Sequence, residues 1–230
     1  MTYKEYPTLE QGSDTWVAAR CGILTASQIG KLITPTLKVA SNDTSRALTE
    51  TLVAERLTGQ VDFIFPNTDM QRGTLDEPYA REHYAEHYAG DDGPVTELGF
   101  ATREIGEHKL GASPDALVGS RGGLEIKSRR PKTHVRTIIA GTVPAENLPQ
   151  IHACMTVFDR EWWDYLSYAG GFPAFVKRVY RDDAWRAVIR DALNQFEDNA
   201  ARMINTYKQT VGDKPVAPRI DHFADEEMSF

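Results

Sequence analysis

The sequence predicts an α/β fold, a β-sheet with helices around it, as a single domain over residues 1–210 with an extended tail over 211–230. Two observations predict it. Apolar residues recur at helical spacing in 25–88 and again in 182–207, and between these stretches lie short segments rich in β-branched and aromatic residues, bounded by glycine and charged turn residues. With 230 residues, 41% hydrophobic and 10% aromatic, the chain can also bury a sizeable core.

In chain order, Thr25-Ala26-Ser27-Gln28 has the Thr-x-x-Gln form of a capping box, and Ile29, Leu32 and Ile33 follow at helical spacing. A helix is therefore expected from Thr25 until Pro35 halts it. Ala47, Leu48, Leu52 and Leu57 predict an amphipathic helix over 43–57, with Gly59 placed to end it. Residues 60–70, with Pro66 and Asn67, read as irregular, and a charged helix is expected over 77–88 with Tyr79, Ala80, Tyr84 and Tyr88 near one face. Strands are expected at 95–102, 108–118, 122–128, 162–169 and 174–180. Helices over 132–140 and 145–158 separate the third strand from the fourth. In the last helix, 182–207, Trp185, Val188, Ile189, Leu193 or Ala192, Phe196, Met203 and Ile204 fall at core-like intervals. The tail, with Pro215, Pro218 and the acidic run Asp225-Glu226-Glu227, is expected to be extended, packed on a neighbour or partly disordered.

No apolar run approaches the roughly 20 residues that span a bilayer, and the polar start Met1-Thr2-Tyr3-Lys4-Glu5 lacks the regions of a secretory signal. A soluble, cytoplasmic protein without membrane contact is expected. Cys21 and Cys154 are too few for a disulfide framework and form no Cys-x-x-Cys pair. The six histidines show no consistent metal-ligand spacing and read as structural or surface residues. A net charge of -7 and a pI near 5.4 argue against a protein that coats nucleic acid through bulk basicity. Any contact with DNA must be local.

The informative stretch is Gly111-Ala112-Ser113-Pro114-Asp115, then nine residues containing Gly119, Gly122 and Gly123, then Glu125-Ile126-Lys127. Residues two apart on a strand share a face, so Glu125 and Lys127 point one way and Ile126 the other. The glycine-bearing segment can fold back and set Asp115 beside them. Two carboxylates brought together repel unless a cation separates them, and Mg²⁺ prefers hard oxygen ligands while keeping waters and phosphate oxygens in its shell. The arrangement suits metal-dependent phosphodiester hydrolysis by one or two ions, with Lys127 orienting the attacking water or neutralising developing charge. Read blandly, the same residues are an exposed hairpin with an ordinary Glu/Lys pair.

Here the sequence resembles the phage lambda exonuclease family, the YqaJ-like viral recombinase nucleases, whose motif is Pro-Asp, a spacer, then Glu-x-Lys. The resemblance covers roughly residues 10–180 and rests on blocks in register: Trp16 through Arg20-Cys21-Gly22-Ile23-Leu24-Thr25-Ala26-Ser27; Gly73-Thr74-Leu75-Asp76-Glu77; Ser113-Pro114-Asp115 to Leu124-Glu125-Ile126-Lys127; and Gln150. It implies a restriction-endonuclease-like fold with a central mixed β-sheet flanked by helices. It further implies that Asp115, Glu125 and the main-chain carbonyl of Ile126 coordinate Mg²⁺, that Lys127 is the catalytic lysine, that Glu77 completes the metal environment and that Gln150 braces the centre. Two ions per site are expected, with Mn²⁺ able to substitute. Arg20, Ser27 and Ser113 match residues that hold a terminal 5′ phosphate, a role suited to a guanidinium beside a helix start.

The resemblance also implies 5′-to-3′ digestion of one strand at double-stranded DNA ends, release of mononucleotides, a 3′ overhang for recombination, a homotrimer and a single-strand annealing recombinase as partner. The chain departs from the family where an arginine enters the duplex: Leu37 stands near that position beside Lys38, and Met70 is the candidate apolar strand wedge. Six cations in 121–136 (Arg121, Lys127, Arg129, Arg130, Lys132 and Arg136) against the single acid Glu125 are compatible with a basic channel. A related endonuclease or repair nuclease, and an inactive DNA-end-binding scaffold, are the other readings.

Overall fold

The computed structural model describes residues 2–62 and 66–220. Two sheets organise the chain. The larger has strand order β2 (Val95–Thr96), β5 (Ala116–Val118), β6 (Gly122–Ser128), β7 (Trp162–Tyr168), β8 (Phe175–Tyr180). It is mixed, because β6 and β7 run parallel while the other neighbours run antiparallel. A parallel pair needs a long crossover, supplied here by α5 (Pro131–Ala140) and α6 (Leu148–Phe158). The smaller, antiparallel sheet joins β1 (Tyr3–Tyr6), β3 (Phe100–Ile105) and β4 (His108–Ala112).

Alternating side chains of the large sheet feed two apolar clusters, as the pleat requires. Trp163 and Tyr165 of β7 join the cluster built with α2 (Ala26–Ile29), α3 (Asp43–Thr58), α6 and α7 (Asp183–Val211). Trp162 and Leu166 of the same strand, with Leu124 and Ile126 of β6, pack on Ala80 and Tyr84 of α4 (Thr68–His87). Gly122 and Gly123 belong to this packing and not to the hairpin turn: a Cβ on either would meet the Trp162 or Trp163 indole at 2.1 or 2.3 Å. The turn itself uses Gly119, in the left-handed region at φ +51°.

Several elements differ from the sequence reading. Helix α4 begins nine residues before Glu77, because the Asn67 side chain caps it by accepting the N–H groups of Asp69 and Met70. Its buried face is narrower than expected, since Ala80 and Tyr84 are buried while Tyr79 and Tyr88 are exposed. The expected strands 95–102 and 108–118 are each two strands in two different sheets. Pro114 lacks the N–H a ladder needs, so β4 ends and the chain crosses to β5. Helix α2 is a single turn that continues as the 3₁₀ segment Gly30–Leu32, and the last helix extends to Val211. Helix α1 (Asp14–Arg20), capped by Ser13, and strand β1 are too short to show periodicity and were not anticipated. The tail expectation for 221–230, including Asp225-Glu226-Glu227, and His222 lie outside the described residues.

Candidate active site

The β5–β6 hairpin builds the centre. Ala116 pairs with Leu124, which brings Asp115, the residue before β5, beside Glu125. The Ile126 N–H donates to Asp115 Oδ2, fixing that carboxylate, while the Ile126 side chain enters the α4 cluster on the opposite face. Glu125 is completely buried, with the Lys127 ammonium against Oε1; neither of its oxygens receives a well-directed hydrogen bond. Lys127 Nζ also lies 3.4 Å from Gln150 Oε1, so α6 reaches the centre through Gln150.

Glu77 arrives from α4. It pairs with Arg81 one turn later, and Arg81 donates through Nε to the Asp115 carbonyl at 2.9 Å and pairs with Glu97 at 2.8 Å. Arg81 thus ties the helix-borne acid to the motif aspartate. It was not singled out in the sequence, where an i, i+4 Glu/Arg pair is indistinguishable from ordinary helix decoration. A cavity of about 330 Å³ opens beside Glu77 and Asp115, bordered by Thr8, Gln11 and Arg81.

The charges do not balance. Burial, reinforced by the Asp115 charge, pushes Glu125 up to about 7 against the pull of Lys127. Glu77 rises to about 7 for the same two reasons, and burial raises Asp115. Burial alone would lower Lys127, but Glu125 and Asp115 outweigh it and hold the ammonium above its ordinary value. Among the described residues no three His, Cys, Asp or Glu side chains form a closed metal cage. Mg²⁺ seldom uses one, binding through one or two carboxylates plus water and phosphate. A buried carboxylate lacking directed donors, beside a second carboxylate, fits such an ion.

A second polar cluster lies next to the Ser113-Pro114 crossing. The Arg20 guanidinium stacks on Trp16 at 3.8 Å, and the Trp16 indole donates to Ser113 Oγ at 2.9 Å. Arg20 Nη2 is 3.5 Å from Thr25 Oγ1, which is 3.3 Å from Ser27 Oγ. The structure therefore links Arg20, Ser27 and Ser113 through Trp16 and Thr25. Thr25 and Gln28 make the expected reciprocal cap, with the Gln28 carbonyl oxygen accepting from both Thr25 N and Oγ1. Arg20 has no ion-pair partner among the described residues, and burial lowers its pKa to about 10.

The other candidates scatter. Met70, 50% exposed, lies on the first turn of α4, about two turns before Glu77, next to the Asp69–Arg130 ion pair. Leu37 sits in a left-handed turn at φ +53°. Within 121–136, Arg121 and Arg130 are paired with Glu161 and Asp69, and Arg129 donates to Asn147; Lys132 and Arg136 stay exposed on α5. Of the histidines, His134 is buried between Ser167 and the Pro173 carbonyl, and His152 stacks on Trp185.

The family model of the YqaJ-like viral recombinase domain matches residues 15–161. The chain belongs to this family. Both blocks of the centre and the Arg20 cluster lie inside the matched region. The chain is also similar to the crystal structure of an alkaline exonuclease, LHK-Exo, from Laribacter hongkongensis, at 32% identity and TM-score 0.77, covering 88% of this chain and 100% of that one. The same protein in complex with dAMP matches equally. A phage-related exonuclease from Haemophilus somnus, 15% identical with TM-score 0.61 over 80% of this chain and 96% of that one, shares the fold. No curated protein matches the chain. Together the family model and LHK-Exo place this YqaJ-like protein among the nucleases of the lambda exonuclease type, with their restriction-endonuclease-like mixed sheet. Among the described residues no helix is long and apolar enough to cross a membrane.

Proposed function

We propose that the chain is a Mg²⁺-dependent 5′-to-3′ exonuclease that degrades one strand of linear double-stranded DNA to mononucleotides and leaves a 3′ overhang for recombination. The observation that carries this reading is the buried Glu125 carboxylate, without a directed donor, set beside Asp115 and Lys127. Asp115, Glu125 and the Ile126 carbonyl are the proposed metal ligands, with Glu77 held at the margin by Arg81. When bound, one or two Mg²⁺ ions, or Mn²⁺ in their place, supply a polarised phosphate and an acidified water. Lys127 orients that water and offsets charge developing on the phosphate, and Gln150 keeps the ammonium in position. Arg20, Ser27 and Ser113 receive the 5′-terminal phosphate, since Arg20 offers a guanidinium not already committed to a carboxylate. LHK-Exo has been crystallised with dAMP, a mononucleotide of the kind such digestion releases.

Residues 1–210 form the nuclease unit in this reading and 211–230 its tail, with Met70 as the strand wedge. Assembly as a homotrimer, handover of the 3′ strand to an annealing recombinase and action in the cytoplasm of a bacterial or phage-infected cell complete the proposal. Lys132 and Arg136 are the cations of 121–136 left to line a channel.

Linear duplexes labelled at either end, and a closed circle, incubated with Mg²⁺ or EDTA, test the reading. Mg²⁺-dependent release from the 5′ end is expected. Cutting of the circle would indicate an endonuclease, and no Mg²⁺-dependent loss from any substrate would indicate a scaffold. Light scattering should give about three times the 25.7 kDa chain mass.

A further inference from the structure

Helix α1 contains no fully buried residue, and while stacking on Trp16 steadies the Arg20 side chain, its backbone is fixed at the helix end. A turn fixes it. The Ile23 N–H donates to the Arg20 carbonyl at 3.0 Å, with Cys21 at φ −52°, ψ 122° and Gly22 at φ +67°, the dihedrals of a type II turn. Both polar groups of Gly22 are gripped by consecutive residues of α3. Its N–H donates to Glu55 Oε2 at 2.7 Å, and its carbonyl accepts from Arg56 Nε at 2.7 Å. Arg56 is fixed in turn by α7: its Nη1 and Nη2 fork onto Glu197 at 2.7 and 2.8 Å, and its guanidinium lies 5.2 Å from the Phe196 ring. The clamp leaves no slack, since a Cβ at Gly22 would stand 2.5 Å from Arg56 Cγ.

We propose that Arg56, with Glu55 and Glu197, positions Arg20 through the Gly22 peptide and so sets how strongly the nuclease selects a 5′-phosphorylated end. This rests on Arg20 receiving that phosphate. Arg56 is a positioning residue: its charge is paired with Glu197 and its Nε–H is committed to the Gly22 carbonyl. A bidentate phosphate contact is directional, so a guanidinium displaced by a fraction of an ångström keeps its charge but loses the fork. Helices α3 and α7, which otherwise supply core, then determine end preference from outside the metal centre.

The test is the ratio of kcat/KM on a linear duplex with a 5′ phosphate to that on the same duplex with a 5′ hydroxyl. Arg20→Ala should lower the ratio at least about 10-fold, and Arg56→Met should lower it by about 10-fold, in the range expected for misplacing a contact by up to roughly 1 Å. Arg56→Lys, which keeps charge and length but not the fork, should recover part of the loss, and Glu197→Gln should fall between. The double variant Arg20→Ala/Arg56→Met should show no lower ratio than Arg20→Ala alone, because both act on one contact. A ratio that falls in Arg20→Ala but stays within about 2-fold of the parent in Arg56→Met and Glu197→Gln overturns the clamp and leaves the phosphate reading standing. An unchanged ratio in Arg20→Ala overturns both. Equal losses on the two substrates in Arg56→Met mark a merely structural role and overturn the clamp. Should Arg56→Met fail to fold, Glu197→Gln, which retains Arg56 and weakens its fork, decides the matter.

Discussion

Two buried carboxylates on neighbouring strands have opposite surroundings. Asp164 of β7, paired in the ladder with Leu124, accepts from the Tyr84 hydroxyl at 2.6 Å and from Arg178 at 2.9 and 2.8 Å, while Arg178 stacks on Trp162 and also holds Asp92. Glu125 of β6, one residue further along, has only the ammonium of Lys127 and no well-directed donor. A buried charge that is fully hydrogen-bonded ties elements together, here β7, β8, α4 and the turn at Gly90–Asp92. One left short of well-directed donors costs stability and marks a candidate functional group. Solvent exposure does not separate the two groups, since both are buried; the donors around them do.

The largest expected effect breaks the Glu125 side of the contrast. Asp115→Ala, Glu125→Ala or Lys127→Ala should each lower turnover by at least about 10²–10³-fold, as loss of one electrostatic stabiliser does. Metal-free Glu125→Gln should change the melting temperature less than Asp164→Ala, because it relieves a carboxylate raised by burial while Asp115 remains as a counter-charge to the Lys127 ammonium. Near-normal turnover in Lys127→Ala would refute its role.

Next, Asp164→Ala should cost about 3–5 kcal/mol in urea unfolding, since it leaves Arg178 and Tyr84 short of their acceptor. Turnover per folded molecule, measured well below the melting temperature, should stay close to the parent. A loss under about 1 kcal/mol would place Asp164 with the ordinary surface pairs.

A smaller effect links pH to metal. Glu125 and Glu77 have folded pKa values near 7, above the ordinary value of 4.5. They favour the folded state while protonated, so the metal-free protein should lose stability as pH rises from about 4.5 to 7. In the proposed function Mg²⁺ binds the ionised forms. Its melting-temperature increase, equivalent to about 2.7 kcal/mol at a hundredfold excess over Kd, should therefore be larger at pH 8 than at pH 6 and absent in Glu125→Gln. An equal shift at both pH values would separate the metal from these carboxyls.

The smallest effect concerns a buried group outside both networks. Burial lowers His152 from 6.5 to about 4 against the charge of Asp182, so below pH 6.5 the unfolded chain takes up a proton that the folded chain refuses. The His152 contribution to stability should decline by about 1 kcal/mol between pH 7 and pH 5.5, opposite in sign to that of Glu125 and Glu77, so His152→Gln should gain about that much relative to the parent over this interval. Acid titrations of the two proteins, followed by circular dichroism, make the comparison.

Local signals in the chain carried much of this protein. The Thr25–Gln28 cap, the Gly59 stop, strand β6 and the apolar interval of α7 are all written within a few residues, as is the spacing that places Glu125 and Lys127 on one face. Asp115 could be added because a short hairpin connects it to Glu125. Tertiary structure alone decided which of these groups would be fully hydrogen-bonded and which would have only an ammonium beside it. Glu125 and Asp164 are both acids in strands, and only the approach of Tyr84 from 80 residues away and Arg178 from 14 distinguishes them. Likewise Arg81 meets Asp115 across 34 residues, and Arg56 meets Glu197 across 141. Periodicity and caps depend on neighbours within a turn or a strand, whereas the charge state of a buried group depends on everything that packs around it.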